Sequence, residues 1–122
     1  VFLGWRNDPE DLIAASDLLL MTSKNEGTPM SAIQAQVLGV PVLSTDVGAI
    51  REIVTDNETG YVRAYNPVEF SELIMRLATD RVLWVNQSNH SKSQARGKFT
   101  VNRLVKDHEN LYRSLITNCQ SN

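Results

Sequence analysis

The sequence predicts an α/β fold, a largely parallel sheet alternating with helices and followed by C-terminal helices. Three observations carry this expectation. Short apolar runs alternate with helix-start signals in the order β-α-β-α-β-α-β over the first half of the chain. The connections between them are short, and beyond Arg63 only helical periodicity remains. The 122 residues, 42% hydrophobic and 21% charged, suffice for one modest core.

Taken in order, Val1-Phe2-Leu3 reads as a short apolar strand. Asp8-Pro9-Glu10-Asp11 supplies an N-cap, a proline at the first helical position and acids in the first turn, for a helix to about Ala15. The run 18–22 is the next strand. Thr28-Pro29 repeats the cap-then-proline device, and Gly39 offers a left-handed stop. Residues 41–45 form a strand that tolerates Pro41 at its first position. Residues 46–49 turn into a short helix through Val54, residues 56–60 form a tight turn, and 61–63 a last strand. Asn66-Pro67-Val68-Glu69 is a variant of the capping box, and Phe70, Leu73, Ile74 and Leu77 stripe its helix. Residues 80–94 are helical but weakly patterned. Val101, Leu104, Val105, His108, Leu111, Tyr112, Leu115 and Ile116 mark a long amphipathic helix.

Composition excludes several classes. No 18-residue apolar run exists, so nothing reads as a membrane span. The lone Cys119, with no signal segment before Val1, leads to an expected reducing cytoplasm. Three glycosylation patterns, at Asn57, Asn86 and Asn89, then read as chance matches. Residues 1–80 carry a net charge of −7 and residues 81–122 a net charge of +5. A basic tail suits an acidic partner or an anionic membrane face, although solvated helix faces are the plainer reading. No basic patch is interleaved with aromatics, so nucleic acid is not expected. His90 and His108 stand far from any Cys or acidic pair at ligand spacing, so no metal is expected.

Ligands of parallel sheets bind beyond the carboxyl ends of the strands. The turns 23–28 and 46–49 and the segment after Trp5 should gather there. The amides of Thr28, Met30 and Ser31, at a helix start, suit a phosphate; Pro29 has no amide to offer. A carboxylate such as Glu26 would repel a phosphate and should face hydroxyls, as on a sugar. Gln34 lies ~9 Å down the helix, which suits a ribose if a diphosphate caps the helix. The plainer readings are a solvated turn residue for Glu26 and a surface amide for Gln34.

The blocks Glu26-Gly27-Thr28-Pro29-Met30-Ser31-Ala32-Ile33-Gln34-Ala35, Gly39-Val40-Pro41-Val42, Thr45-Asp46-Val47-Gly48-Ala49, Glu52 and Thr59-Gly60-Tyr61-Val62 stand in a fixed order. Together they resemble the C-terminal, donor-binding domain of glycosyltransferase family 4, the retaining GT-B enzymes. The resemblance covers nearly the whole chain. It implies a partial Rossmann-like donor-binding domain at residues 1–79, with residues 80–122 as its C-terminal helical segment. It also implies that Glu26 is the catalytic residue, on the donor-sugar hydroxyls. Gly27, Thr28, Pro29, Met30 and Ser31 would approach the sugar and the diphosphate. Gln34 would hold the ribose, where the family's Glu-x7-Glu motif has its second Glu.

Two positions depart from that pattern. Gln34 lacks the charge of a glutamate, which should weaken ribose pairing by roughly 1 kcal/mol or more. Ala49 replaces the second glycine of an Asp-x-Gly-Gly turn, where a Cβ restricts φ or crowds a ligand.

The resemblance implies transfer of a hexose-type sugar from a nucleotide diphosphate to a glycan or lipid-linked acceptor, as in polysaccharide biosynthesis. The mechanism would be front-face substitution with retention, with no protein nucleophile, no metal and no cofactor. It further implies an acceptor domain before Val1, two absent strands between Val1-Phe2-Leu3 and the run 18–22, and a location at the inner face of the cell membrane. An isolated chain would then leave a gap in its sheet and fold poorly. Three alternatives compete: a non-catalytic nucleotide-sugar-binding module or pseudoenzyme of the same fold, a sugar-nucleotide epimerase, and a phosphoacceptor receiver domain. The epimerase needs acid/base groups beyond Glu26; the receiver needs an acidic cluster and a strand-end Lys.

Overall fold

The central strand, β2 (Val42–Thr45), lies between β1 (Leu19–Met21) and β3 (Gly60–Arg63), and all three run parallel. Leu20 stands beside Leu43, which stands beside Tyr61. This computed structural model describes residues 1–119, with side chains through Thr117. The Cys119 thiol and residues 120–122 lie outside the described part. The helices are α1 (Pro9–Ala14), α2 (Met30–Leu38), α3 (Ile50–Ile53), α4 (Pro67–Thr79), α5 (Arg81–Lys98) and α6 (Val101–Cys119).

All four residues of β2 are buried, as expected for a parallel strand covered on both faces. Side chains alternate across the strand, so Val42 and Leu43 enter different cores. Val42 joins Met21, Ala32, Ala35, Ile50 and Val62 beneath α2 and α3. Leu43 joins Tyr61, Phe70 and Leu77 beneath α4. This is the Rossmann-like α/β layering that the alternation of elements predicts.

Local signals fix most boundaries. Gly39 adopts φ 76° and closes α2, and the Lys92 side chain of α5 fills the space a Cβ would need there. Asn66 caps α4 by accepting from the amides of Val68 and Glu69. Asp80 accepts from the Leu83 amide and starts α5, which runs on to Lys98, beyond the expected segment 80–94.

Two expectations need correction. Val1-Phe2-Leu3 is not a strand: it pairs with no strand among the described residues and its side chains are exposed. An apolar triplet becomes a strand only where a neighbouring edge takes up its backbone groups. Thr28 does not cap α2; Pro29, with ψ 101°, occupies the cap position without a side-chain bond, and the helix begins at Met30. The expected long amphipathic helix is found as α6, and its apolar stripe, including Leu104, Leu111, Tyr112 and Ile116, is exposed.

A buried polar layer joins α2, α5 and the turn before β3. The Gln36 Nε2 donates to the Thr59 carbonyl at 3.0 Å, and the Ser91 hydroxyl donates to the same oxygen at 3.3 Å. Gln87 Nε2 donates to the Asn57 carbonyl at 3.4 Å. The Oε1 atoms of Gln36 and Gln87 are buried without a hydrogen-bond partner.

Candidate functional site

Two turns meet at the carboxyl ends of the strands. The first, after β1, carries Glu26 and leads into α2; the second, after β2, holds residues 46–49. They are joined by two bonds: the Thr45 hydroxyl to the Ser23 carbonyl at 2.6 Å, and the Ala49 amide to the Gly27 carbonyl at 2.9 Å. Gly48 sits at φ 57°, and a Cβ there would fall 2.3 Å from the Glu26 carbonyl oxygen and 2.5 Å from that of Gly27. Only glycine permits both the backbone angle and the approach. Asp46 is fixed in turn by a two-pronged pair with Arg51, at 2.9 and 2.8 Å. That bond to Asp46 raises the Arg51 pKa.

Glu26 is half-buried, and among the described residues its carboxylate has no hydrogen bond or ion pair. Beside it Gly27, Thr28 and Met30 are exposed, while Pro29 is buried. The first helical bond of α2 comes from the Ala32 amide to the Pro29 carbonyl at 3.1 Å. The amides of Thr28, Met30 and Ser31 therefore have no partner among the described residues, and the positive end of the helix dipole stands open. The Ser31 hydroxyl turns inward, 3.8 Å from the Met21 sulfur, so its amide rather than its side chain faces outward chemistry.

Two cavities flank this turn. One, of about 430 Å³, lies at the strand ends and is lined by Ser23, Lys24, Thr45, Asp46 and Tyr65. The other, of about 510 Å³, is lined by Thr28, Met30, Ala49, Ile53, Phe99 and Leu104, between the α2 start, α3 and the α5–α6 junction. In sequence Glu26 falls between Lys24, which lines the first, and Thr28, which lines the second. Ala49 adopts φ −88° and ψ 21°, open to any residue, so its Cβ brings no backbone strain.

Gln34 does not stand alone. Its Nε2 donates to Glu10 Oε1 at 3.0 Å, so the segment after Trp5 reaches the site through α1. Sequence reasoning gave Glu10 only a place in the first turn of α1. The contact spans 24 residues, and no local signal could have found it. Arg6 pairs with Asp8 through a 2.7 Å bond, which lowers the Asp8 pKa. His108 is taken up by its own helix, with Nδ1 2.8 Å from the Leu104 carbonyl. No group of three or more His, Cys, Asp or Glu side chains suited to a metal occurs among the described residues. No described helix is long and apolar enough to cross a membrane.

A parallel α/β layer with an open helix start and a carboxylate at its strand ends defines a Rossmann-like class of domain, and comparison with solved structures narrows it. Anabaena Alr3699/HepE, solved with UDP and glucose, superimposes with a TM-score of 0.85 over 93% of this chain and 32% of that one, at 24% identity. The fold is thus that of the GT-B glycosyltransferase structures. Residues 1–80 match the family "Glycosyl transferases group 1", and the chain belongs to it. Among its relatives, the Bacillus anthracis N-acetyl-alpha-D-glucosaminyl L-malate synthase is 26% identical over 95% of this chain and 31% of its own length. The Escherichia coli UDP-Gal:alpha-D-GlcNAc-diphosphoundecaprenol alpha-1,3-galactosyltransferase is 27% identical over 97% of this chain and 30% of its own length. The chain spans about a third of the length of these relatives.

Proposed function

We propose that this chain is the nucleotide-sugar-binding part of a retaining family 4 glycosyltransferase that transfers a hexose to a glycan or lipid-linked acceptor. The observation that carries the reading is the pairing of a half-buried, partnerless Glu26 with the open amides of Thr28, Met30 and Ser31. The amides suit the donor diphosphate, and Glu26 suits the sugar hydroxyls, which a carboxylate binds by charge-assisted bonds. Gly27 lets the backbone approach the sugar, and buried Pro29 fixes the entry to the helix.

A UDP-hexose is the favoured donor, because the Escherichia coli relative is named for UDP-Gal and the Anabaena structure holds UDP and glucose. In this mechanism the acceptor hydroxyl attacks the face that the diphosphate leaves and passes its proton to the departing diphosphate oxygen. The helix start stabilises the charge that develops on that group, and Glu26 orients the sugar. The exposed stripe of α6 and the open outer edge of β1 support a larger protein, in which another domain holds the acceptor. The basic residues 81–122 suit the inner face of a membrane carrying a lipid-linked acceptor.

One observation favours the second reading, a non-catalytic donor-binding module: Gln34 stands where the resemblance expects a ribose-binding carboxylate. Thermal shift of the full-length protein with UDP-, GDP- and dTDP-sugars, followed by a turnover assay, separates the two. The enzyme reading expects stabilisation by a UDP-hexose, its consumption, and a product with the donor's anomeric configuration. Stabilisation without turnover of any acceptor selects the binding module, and no stabilisation by any nucleotide sugar overturns both.

A further inference from the structure

We infer that Glu10 and Gln34 act together as a receptor for the vicinal 2′,3′-diol of a ribonucleotide, with Glu10 supplying from α1 the carboxylate that α2 lacks. The inference rests on the nucleotide-sugar reading and extends it to a residue outside the motif.

The geometry begins with the 3.0 Å bond from Gln34 Nε2 to Glu10 Oε1. That bond turns the donor end of the amide toward the carboxylate. Glu10 Oε2 and Gln34 Oε1 have no hydrogen-bond partner among the described residues. The pair therefore offers acceptor oxygens from two side chains held against one another. A ribose diol offers two adjacent hydroxyl donors, the complementary pattern. Glu10 is exposed and Gln34 half-buried, so a ligand reaches both.

The position fits as well. Met30 and Ser31 lie four and three residues before Gln34 on α2, so the three share one helical face. Gln34 is about 6 Å along the axis from Met30, at 1.5 Å per residue. A diphosphate on the open amides of Met30 and Ser31 would place its ribose one step further along this face. The charge is the decisive element. A lone Gln34 accepts through a neutral oxygen, whereas Glu10 adds a charge-assisted acceptor of roughly twice the strength.

The pairing also sets which substitution is compatible. A glutamate at position 34 would put two carboxylates at hydrogen-bonding distance with no donor between them, and like charges so placed repel. Exchanging the two residues keeps one amide and one carboxylate.

Isothermal titration of the full-length protein with UDP and GDP, and with the 2′,3′-dideoxy counterpart of whichever binds, tests this. The unmodified protein should bind the ribonucleotide about tenfold more tightly than the dideoxy form. Glu10→Ala should remove that preference, weakening the ribonucleotide about tenfold and leaving the dideoxy form unchanged. Gln34→Glu alone should weaken the ribonucleotide, and the exchange E10Q/Q34E should restore it. If Glu10→Ala weakens both ligands alike, or neither, the pair is a brace between α1 and α2 and the inference fails; Glu10→Gln, which keeps the shape, repeats that comparison should Glu10→Ala not fold. Indifference of the unmodified protein to the diol overturns the inference while leaving the nucleotide-sugar reading intact. Failure to bind UDP or GDP overturns the inference, and failure to bind dTDP as well overturns both.

Discussion

The Ala49 amide donates to the Gly27 carbonyl at 2.9 Å, so the turn that ends β2 holds the turn that carries Glu26. At the neighbouring Gly48 the Glu26 and Gly27 carbonyl oxygens occupy the space that a Cβ would need. Glu26 is therefore placed by β2, the best-buried strand, rather than by its own exposed loop.

Gly48→Ala should displace the Glu26 turn. Its positive φ and the blocked space cost roughly 1–3 kcal/mol of stability, and donor binding should fall at least about tenfold. Ala49→Gly should leave both nearly unchanged, because the bond to Gly27 uses only the backbone. Denaturant melts and donor titration of the two variants check the contrast.

Glu26→Gln should lower turnover by about a hundredfold or more while leaving the melting temperature within a degree or so. No structural bond is lost, since its carboxylate has no partner among the described residues. A large fall in stability would mark Glu26 as a structural residue of the turn.

Gln36→Ala should destabilise the protein by about 2 kcal/mol, through a lost buried hydrogen bond and a cavity under α5. Ser91→Ala should cost less, because the Thr59 carbonyl keeps the Gln36 bond. The double variant should cost more than the sum, since Thr59 is then left unpaired. Chemical unfolding of the three variants measures the coupling.

Asp56 predicts an acid-sensitive strand β3. Partial burial opposes its charge, but bonds from the Val62 amide and the Arg63 guanidinium outweigh it, and the carboxyl titrates below its ordinary 3.8. A carboxyl depressed in the folded state adds stability above its unfolded pKa and loses it as pH falls through the folded value. Denaturation midpoints should thus drop between about pH 5 and about pH 2 more steeply in the unmodified protein than in Asp56→Asn.

Much of the fold was legible because its signals are local. Asn66 two residues before Val68, Gly39 after an apolar helix, and apolar runs between turns act through neighbouring backbone atoms. The failures share a cause, which is that the deciding partner lies far along the chain. Val1-Phe2-Leu3 has the composition of a strand and no edge beside it. Gln36, Gln87 and Ser91 have the composition of a surface and are buried against Thr59 and Asn57. The Thr28 cap was misplaced by one residue because Pro29 stays extended. Within the candidate site, the position of Glu26 in the turn before α2 follows from sequence, while Gly48 as its support and Glu10 as the partner of Gln34 emerge only in three dimensions.

Among the described residues strand β1 pairs with β2 on one side alone, and Leu20 on it is 46% exposed. Its outer backbone groups are a ready template for any extended chain that meets them. Handled as these 122 residues, the protein would find its nearest complement in another copy of itself, zipping edge to edge. The amount of protein in the tube, as much as temperature or denaturant, would then decide whether it stays monomeric. A tethered neighbouring strand would act as a built-in chaperone for that edge.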